Sequence, residues 1–217
     1  MMIVGIDVYH DPSKRNPSVS AVVASMNDTN SKWFSKAHLQ EQSVELVDNL
    51  RQAFIDILQA YYNANHAWPK SVMIFRDGIG DSQLETSLKI EVEEMFNTFH
   101  KVTEGNKKFG FVVVQKRINT KLLLESGENK LDNPPPGTIV DHSITKLGKR
   151  DFYLVSQKVN HGTVAPTHYV SPIFILFSSA PVYLFVHLGG NGLRGSRHTT
   201  QGRDGPESGL PTKPHVL

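Results

Sequence analysis

An amphipathic helical stripe set between two apolar, strand-like runs leaves this chain few architectures. Val44, Val47, Leu50, Phe54, Ile57, Leu58 and Tyr61 recur at helical spacing. Before them, Met2 to Val8 alternates as a strand, with Ile3, Gly5 and Asp7 against Val4, Ile6 and Val8, both faces largely apolar as in a central strand. After them, beyond Pro69, Ser71 to Phe75 is a short apolar strand. Two more strands, Ser18 to Ser25 and Lys32 to His38, flank the turn-forming Asn27-Asp28-Thr29-Asn30, so the first three strands read as an antiparallel meander. Ser82 and Glu85 fit a capping box opening a second helix whose Leu84, Leu88, Val92, Met95, Phe96 and Phe99 face the sheet. Phe109 to Val114 is the next buried strand. The order β-β-β-α-β-α-β gives an α/β class, a mixed sheet with helices packed against it.

The later chain reads differently. Residues 125 to 137 form a loop ending in Asn133-Pro134-Pro135-Pro136-Gly137, where the prolines exclude helix and central strand. Short strands follow at Thr138 to Val140, Phe152 to Ser156 and His168 to Val170. Pro172 to Leu188 is uncharged and mostly apolar, but Pro172, Pro181 and His187 interrupt it, so a membrane-crossing helix is not expected. From Gly189 onward the Gly, Arg, Ser, Thr and Pro-rich chain lacks periodicity and is expected to be disordered. The absence of cysteine excludes a disulfide framework and Cys-based zinc sites. The opening MMIVGIDV has no secretory features and reads as the later part of something longer.

Charge is uneven along the chain. Residues 1 to 100 hold 8 Lys/Arg against 13 Asp/Glu, whereas residues 101 to 150 hold 10 against 5. An acidic half beside a basic segment suits a phosphate backbone laid across a cation site, or is simply solvated surface charge. The acidic groups are placed with purpose. Asp7 in GIDVYHD and Asp77 in MIFRDGIGD each end a buried strand, and Glu45 in SVELVDNL falls in the first turn of the intervening helix. A carboxylate at the end of a buried strand is costly unless it is paired, hydrogen-bonded or bound to metal. Singly, each has an ordinary explanation: a turn or cap for the aspartates, the helix dipole for the glutamate. Together they offer hard oxygen ligands for magnesium or manganese, and a pair of such ions can hold both the attacking and the leaving oxygen of a displacement at phosphorus. Nucleic-acid cleavage is the expectation. Asp81 is read as a helix cap.

In Gln115-Lys116-Arg117-Ile118-Asn119-Thr120-Lys121, three cations follow a buried strand directly, a strip able to hold successive phosphates or an ordinary solvated strand end. No HxxxH, HxH or GxSxG pattern occurs, which argues against zinc and serine hydrolases. His168 is read as a structural histidine, and His10 lies near Asp7.

The ordered blocks MMIVGIDVYHDP, SKWFS, VELVDNL, FRDGIGDSQL, VVVQKRINTKL, NPPPGTIVDHSIT, DFYLVSQ and GTVAPTHYV resemble the PIWI domain of Argonaute proteins, specifically the animal PIWI clade. The resemblance implies a ribonuclease H-like fold over residues 1–170 with its C-terminal part missing, followed by an unrelated tail at 171–217. It implies small-RNA-guided RNA binding and cleavage of a complementary target RNA, the guide being a PIWI-interacting RNA. By the same resemblance Asp7 and Asp77 bind two Mg2+ or Mn2+ ions when nucleic acid is present, and Glu45 completes the catalytic set. Lys116, Arg117 and Lys121 contact guide phosphates. The family's fourth metal-site residue, usually histidine, has no counterpart here, since His187, His198 and His215 stand in unrelated context. A non-cleaving module for guide RNA or silencing partner proteins, or an inactive fragment, is the alternative. The implied location is the cytoplasm, in perinuclear germ granules, or the nucleus.

Overall fold

The computed structural model of the chain describes residues 1–13, 15–41, 49–79, 84–104, 107–126, 130–142, 144–145, 150–171 and, for the backbone, 214–216, with side chains in the second helix from 89 onward. Strands β1 (Met2–Tyr9), β2 (Ser18–Ser25) and β3 (Trp33–Gln40) form the expected antiparallel meander. Its second turn is built by Asn27, whose side-chain oxygen accepts from the N–H groups of Ser31 and Lys32 at 3.0 and 3.2 Å. Helix α1 (Leu50–Asn65) crosses to β4 (Ser71–Asp77), and helix α2 (Leu84–Thr103) crosses to β5 (Lys108–Gln115). α1 stops where His66 turns left-handed (φ 53°) and its N–H closes on the Tyr62 carbonyl at 2.7 Å.

β4 lies parallel to both β1 and β5, as helical crossovers require. After β5 come β6 (Leu122–Glu125), β7 (Leu131–Asp132), β8 (Ile139–Val140), β9 (Arg150–Leu154) and β10 (Thr167–Ser171), then β11 (Pro214–Val216). The main sheet has eight strands in the order β3-β2-β1-β4-β5-β10-β9-β8, and β11-β6-β7 form a small second sheet.

One face of the main sheet carries the helices. Val4 and Ile6 of β1, Ile74 of β4 and Phe111 of β5 are buried there with Phe54 and Ile57 of α1 and Val92 and Phe99 of α2. The helical stripe read from the sequence is therefore the core face of α1 from Leu50 onward. Its first turn, with Val44, Glu45 and Val47, lies outside the described residues, as do Asp81, the capping box and the run 172–188. Among the described residues no helix is long and apolar enough to cross a membrane.

Several expectations shift. β1 runs to Tyr9, two residues past Asp7, and the face bearing Ile3, Gly5 and Asp7 is partly open to solvent. β4 extends through Asp77, so that aspartate is the last strand residue. Phe96 is 38% exposed; it sits at the helix margin, edge-on to Phe109 with ring centroids 5.6 Å apart. The loop expected from 125 includes β7, and Pro214–Val216, in a stretch expected to be disordered, pairs antiparallel with Leu122–Leu124. β7 is the two-residue return of a hairpin with β6, too short to show a period, and the three-residue β11 exists only through its distant partner, which local periodicity cannot register.

Candidate metal and nucleic-acid site

β1 and β4 are in parallel register through Gly5 opposite Phe75 and Ile6 opposite Arg76, and the next residue on each strand is an aspartate. Neighbouring strands lie about 4.8 Å apart. Ile6 belongs to the core under the helices, so by alternation Asp7 and Asp77 stand level on the opposite face. Both line an open depression of about 330 Å³ with Gly5, Ala21, Val23, Phe75, Val114 and Lys116. Small residues keep it low. Asp7 is opposite Ala21 in β2, and Ala21 is opposite Ala37 in β3. A Cβ placed on Gly5 would meet nothing within 4 Å, so this glycine opens the floor rather than avoiding a clash.

The carboxylates are differently engaged. Asp7 is exposed, and its Oδ1 accepts the Val8 N–H at 2.9 Å. Asp77 Oδ2 accepts from the ammonium of Lys116 just beyond β5. That hydrogen bond, with the attraction of Asp77 and Asp7, holds the Lys116 ammonium above the usual lysine range despite some burial. The Lys116 side chain is 65% exposed, so the pair contributes little to stability. Opposite Val114, Tyr169 of β10 stacks on Phe152 at 4.9 Å and 6°. Burial pushes its phenol up, with Lys116 pulling the other way. An acidic pair, one ammonium and an aromatic plate thus share a single row across β1, β4, β5 and β10.

Of the six residues singled out in the sequence, Asp7, Asp77 and Lys116 converge. Arg117 is exposed and Lys121 half-buried in the same β5–β6 connection, both outside the depression. Glu45 lies outside the described residues. Among the described residues no group of three or more acidic or histidine side chains converges. The pair present nevertheless fits a hard divalent cation. Two level carboxylates repel each other, and Lys116 relieves that repulsion with the sign of charge a cation would bring. His10 is paired through Nδ1 with Ser18 Oγ at 2.8 Å.

His168 is buried and fully partnered, as read. Its Nδ1 is hydrogen-bonded with Gln115 Oε1 and its Nε2 with Asp151 Oδ2, each at 2.8 Å. Sequence reasoning passed over Arg76, which is 0% exposed beside Asp77. A charge inside the apolar run MIFRD was the available signal, because such a group demands a buried partner.

The Piwi domain family profile matches residues 1–171. The chain belongs to the Piwi domain family. It is 48% identical over 170 residues to Piwi-like protein Ago3 of Bombyx mori, covering 78% of this chain and 18% of that protein. Against protein argonaute-3 of Drosophila melanogaster it is 49% identical over 170 residues, covering 78% and 19%. The chain thus spans about a fifth of the length of the curated relatives it matches. Among solved structures, Drosophila Piwi aligns at 29% identity and TM-score 0.63 over 86% of this chain and 24% of that one. Kluyveromyces polysporus Argonaute with a guide RNA aligns at 26% identity and TM-score 0.65 over 79% and 22%. The PIWI domain here accordingly has the ribonuclease H-like architecture expected of it, a mixed eight-stranded sheet with flanking helices. Asp77 ends β4 and Asp7 lies two residues before the end of the adjacent parallel β1, so both sit toward the C-terminal edge of the sheet, where ligands of open α/β sheets bind.

Proposed function

We propose that this PIWI domain binds a small guide RNA paired to a complementary target and cleaves the target, with Asp7, Asp77 and Glu45 as the catalytic carboxylates. The observation that carries the reading is the level pair Asp7 and Asp77 beside a cationic strip. The solved Argonaute with a guide RNA, whose fold this chain shares, supports RNA as the ligand. The Piwi-like relatives support a PIWI-interacting guide. Magnesium or manganese bound by the carboxylates would lower the pKa of the attacking water and offset charge on the departing 3′ oxygen.

The chain's own residues do the rest. Asp7 and Asp77 set where the scissile phosphate must lie, in the open depression floored by Gly5 and Ala21. Lys116, Arg117 and Lys121 hold guide phosphates, Lys116 exchanging its bond to Asp77 for one to a phosphate. Silencing partner proteins and a cytoplasmic location, in germ granules or alongside a nuclear pool, go with the same proposal.

The test is a chimera in which residues 1–171 replace the matched segment of the silkworm Ago3, loaded with guide and given complementary RNA in magnesium. Cleavage leaving 5′ phosphate and 3′ hydroxyl ends is expected, and Asp77→Ala is expected to abolish it. No cleavage, or equal cleavage by both, contradicts the proposal. A second reading, guide or partner binding without cleavage, is favoured by one observation: Lys116 already neutralises Asp77. It requires that the RNA-bound chimera take up no magnesium at Asp7 and Asp77.

A further inference from the structure

The buried charge next to Asp77 has no part in the chemistry above, yet burying a charge is costly unless it is paired and hydrogen-bonded. Arg76 points to the core face, level with Ile6 and Val113, and is 0% exposed. Its Nε donates to Glu91 Oε2 of α2 at 3.1 Å, and Glu91 is 2% exposed. Its Nη1 donates to the backbone carbonyl of Asp77. One guanidinium therefore ties a helix to the peptide on which the metal-site aspartate ends its strand. At the next residue the chain turns through Gly78 (φ 92°).

The same turn is held on the same face by a second strand. Gln115, at the end of β5, donates from Nε2 to the Ile79 carbonyl at 3.2 Å. Its Oε1 is fixed by His168, which is fixed in turn by Asp151 and stacks on Tyr153 at 4.3 Å. Ile79 itself is 2% exposed.

Stability alone does not explain such groups. Replacing a buried ion pair by apolar residues of similar volume is often neutral or stabilising, whereas removing one partner is strongly destabilising. A fixed geometry does explain them, and arginine's rigid planar fork holds two separated acceptors in fixed positions, which the single rotatable ammonium of lysine does not. We propose that Arg76 with Glu91, and Gln115 with His168 and Asp151, are positioning residues that clamp the Asp77-Gly78-Ile79 turn and so aim the Asp77 carboxylate at a divalent cation. This rests on the cation-binding reading of Asp7 and Asp77.

The test uses the 217-residue chain with a short RNA duplex, titrated with manganese, alongside thermal unfolding and amide hydrogen exchange at Gly78. The double variant Arg76→Met/Glu91→Leu is expected to melt close to the parent. It is expected to bind manganese about 10- to 100-fold more weakly, as loss of an outer-shell partner does, and to exchange the Gly78 amide faster. Arg76→Lys keeps the charge but cannot span both acceptors, and Gln115→Leu releases Ile79. Either is expected to weaken manganese binding in the same direction, and both serve if the double variant does not fold. Manganese binding unchanged in these variants but lost in Asp77→Ala would overturn the clamp alone. Manganese uptake that ignores Asp77→Ala would remove the cation reading, and the clamp with it.

Discussion

Two hydrophobic clusters of very different size hold the two ends of this domain. Among the described residues the larger gathers 22 buried side chains from β1, β2, β4, β5, β10, both helices and the turn residues Met26 and Ile79, whereas the smaller gathers Leu122, Val140, Val155 and Val164. Asp7 and Asp77 stand on strands anchored in the first, whereas β6, directly after the cationic strip, and β8 are anchored in the second. A constellation that must hold two carboxylates level needs strands that do not shift. A surface that receives a flexible phosphate backbone tolerates a lighter anchor. Lys116 stands at the junction, attached by sequence to the strip and by its hydrogen bond to Asp77.

That contrast can be broken by truncating one side chain in each cluster. Phe54→Ala, in the large core, is expected to cost about 3–5 kcal/mol in denaturant unfolding, whereas Leu122→Ala is expected to cost about 2 kcal/mol, because its thin surroundings can collapse onto the gap. Equal losses would mean that the two clusters are one cooperative unit. A smaller effect sharpens the functional half of the comparison. Arg117→Gln is expected to leave the unfolding midpoint unchanged while reducing the salt dependence of RNA binding by about one unit of log–log slope, the signature of one phosphate contact. Unfolding shifted with an unchanged salt slope would return Arg117 to an ordinary surface role.

The smallest expected effect concerns the junction. Because its partner raises the folded-state value of Lys116, the stabilisation from this ammonium is fully present below the ordinary lysine value of 10.5 and is lost as pH rises through the raised one. Following the Lys116 Cε resonance through alkaline titration should show the rise, and Asp77→Asn should return it toward the ordinary value. A midpoint indifferent to Asp77→Asn would mean that the two groups do not meet in solution.

The parts legible in the sequence were those fixed by local pattern. Strands β1 to β5 and helices α1 and α2 announce themselves because each carries an alternating, continuously apolar or helical pattern over several residues. Asp7 and Asp77 announce themselves as acids in apolar surroundings. What escaped was long-range. β6 and β11 pair across residues 122–216, and Arg76 meets Glu91 15 residues on, through a crossover. Tyr169 joins the acidic row only because β10 inserts beside β5. Phe96 was assigned to the buried face by its spacing, yet it sits where the helix surface turns to solvent and a 3.6-residue period no longer discriminates.

The central claim, that a divalent cation held by Asp7 and Asp77 touches the phosphate being cut, is tested most directly by sulfur substitution in the target of the chimera. With one non-bridging oxygen of the scissile phosphate replaced by sulfur, magnesium, a hard ion, should support cleavage poorly and manganese should restore it. The restoration should vanish with Asp77→Ala. Equal rates for the oxygen and sulfur targets in both ions would show that no cation on these aspartates contacts the phosphate.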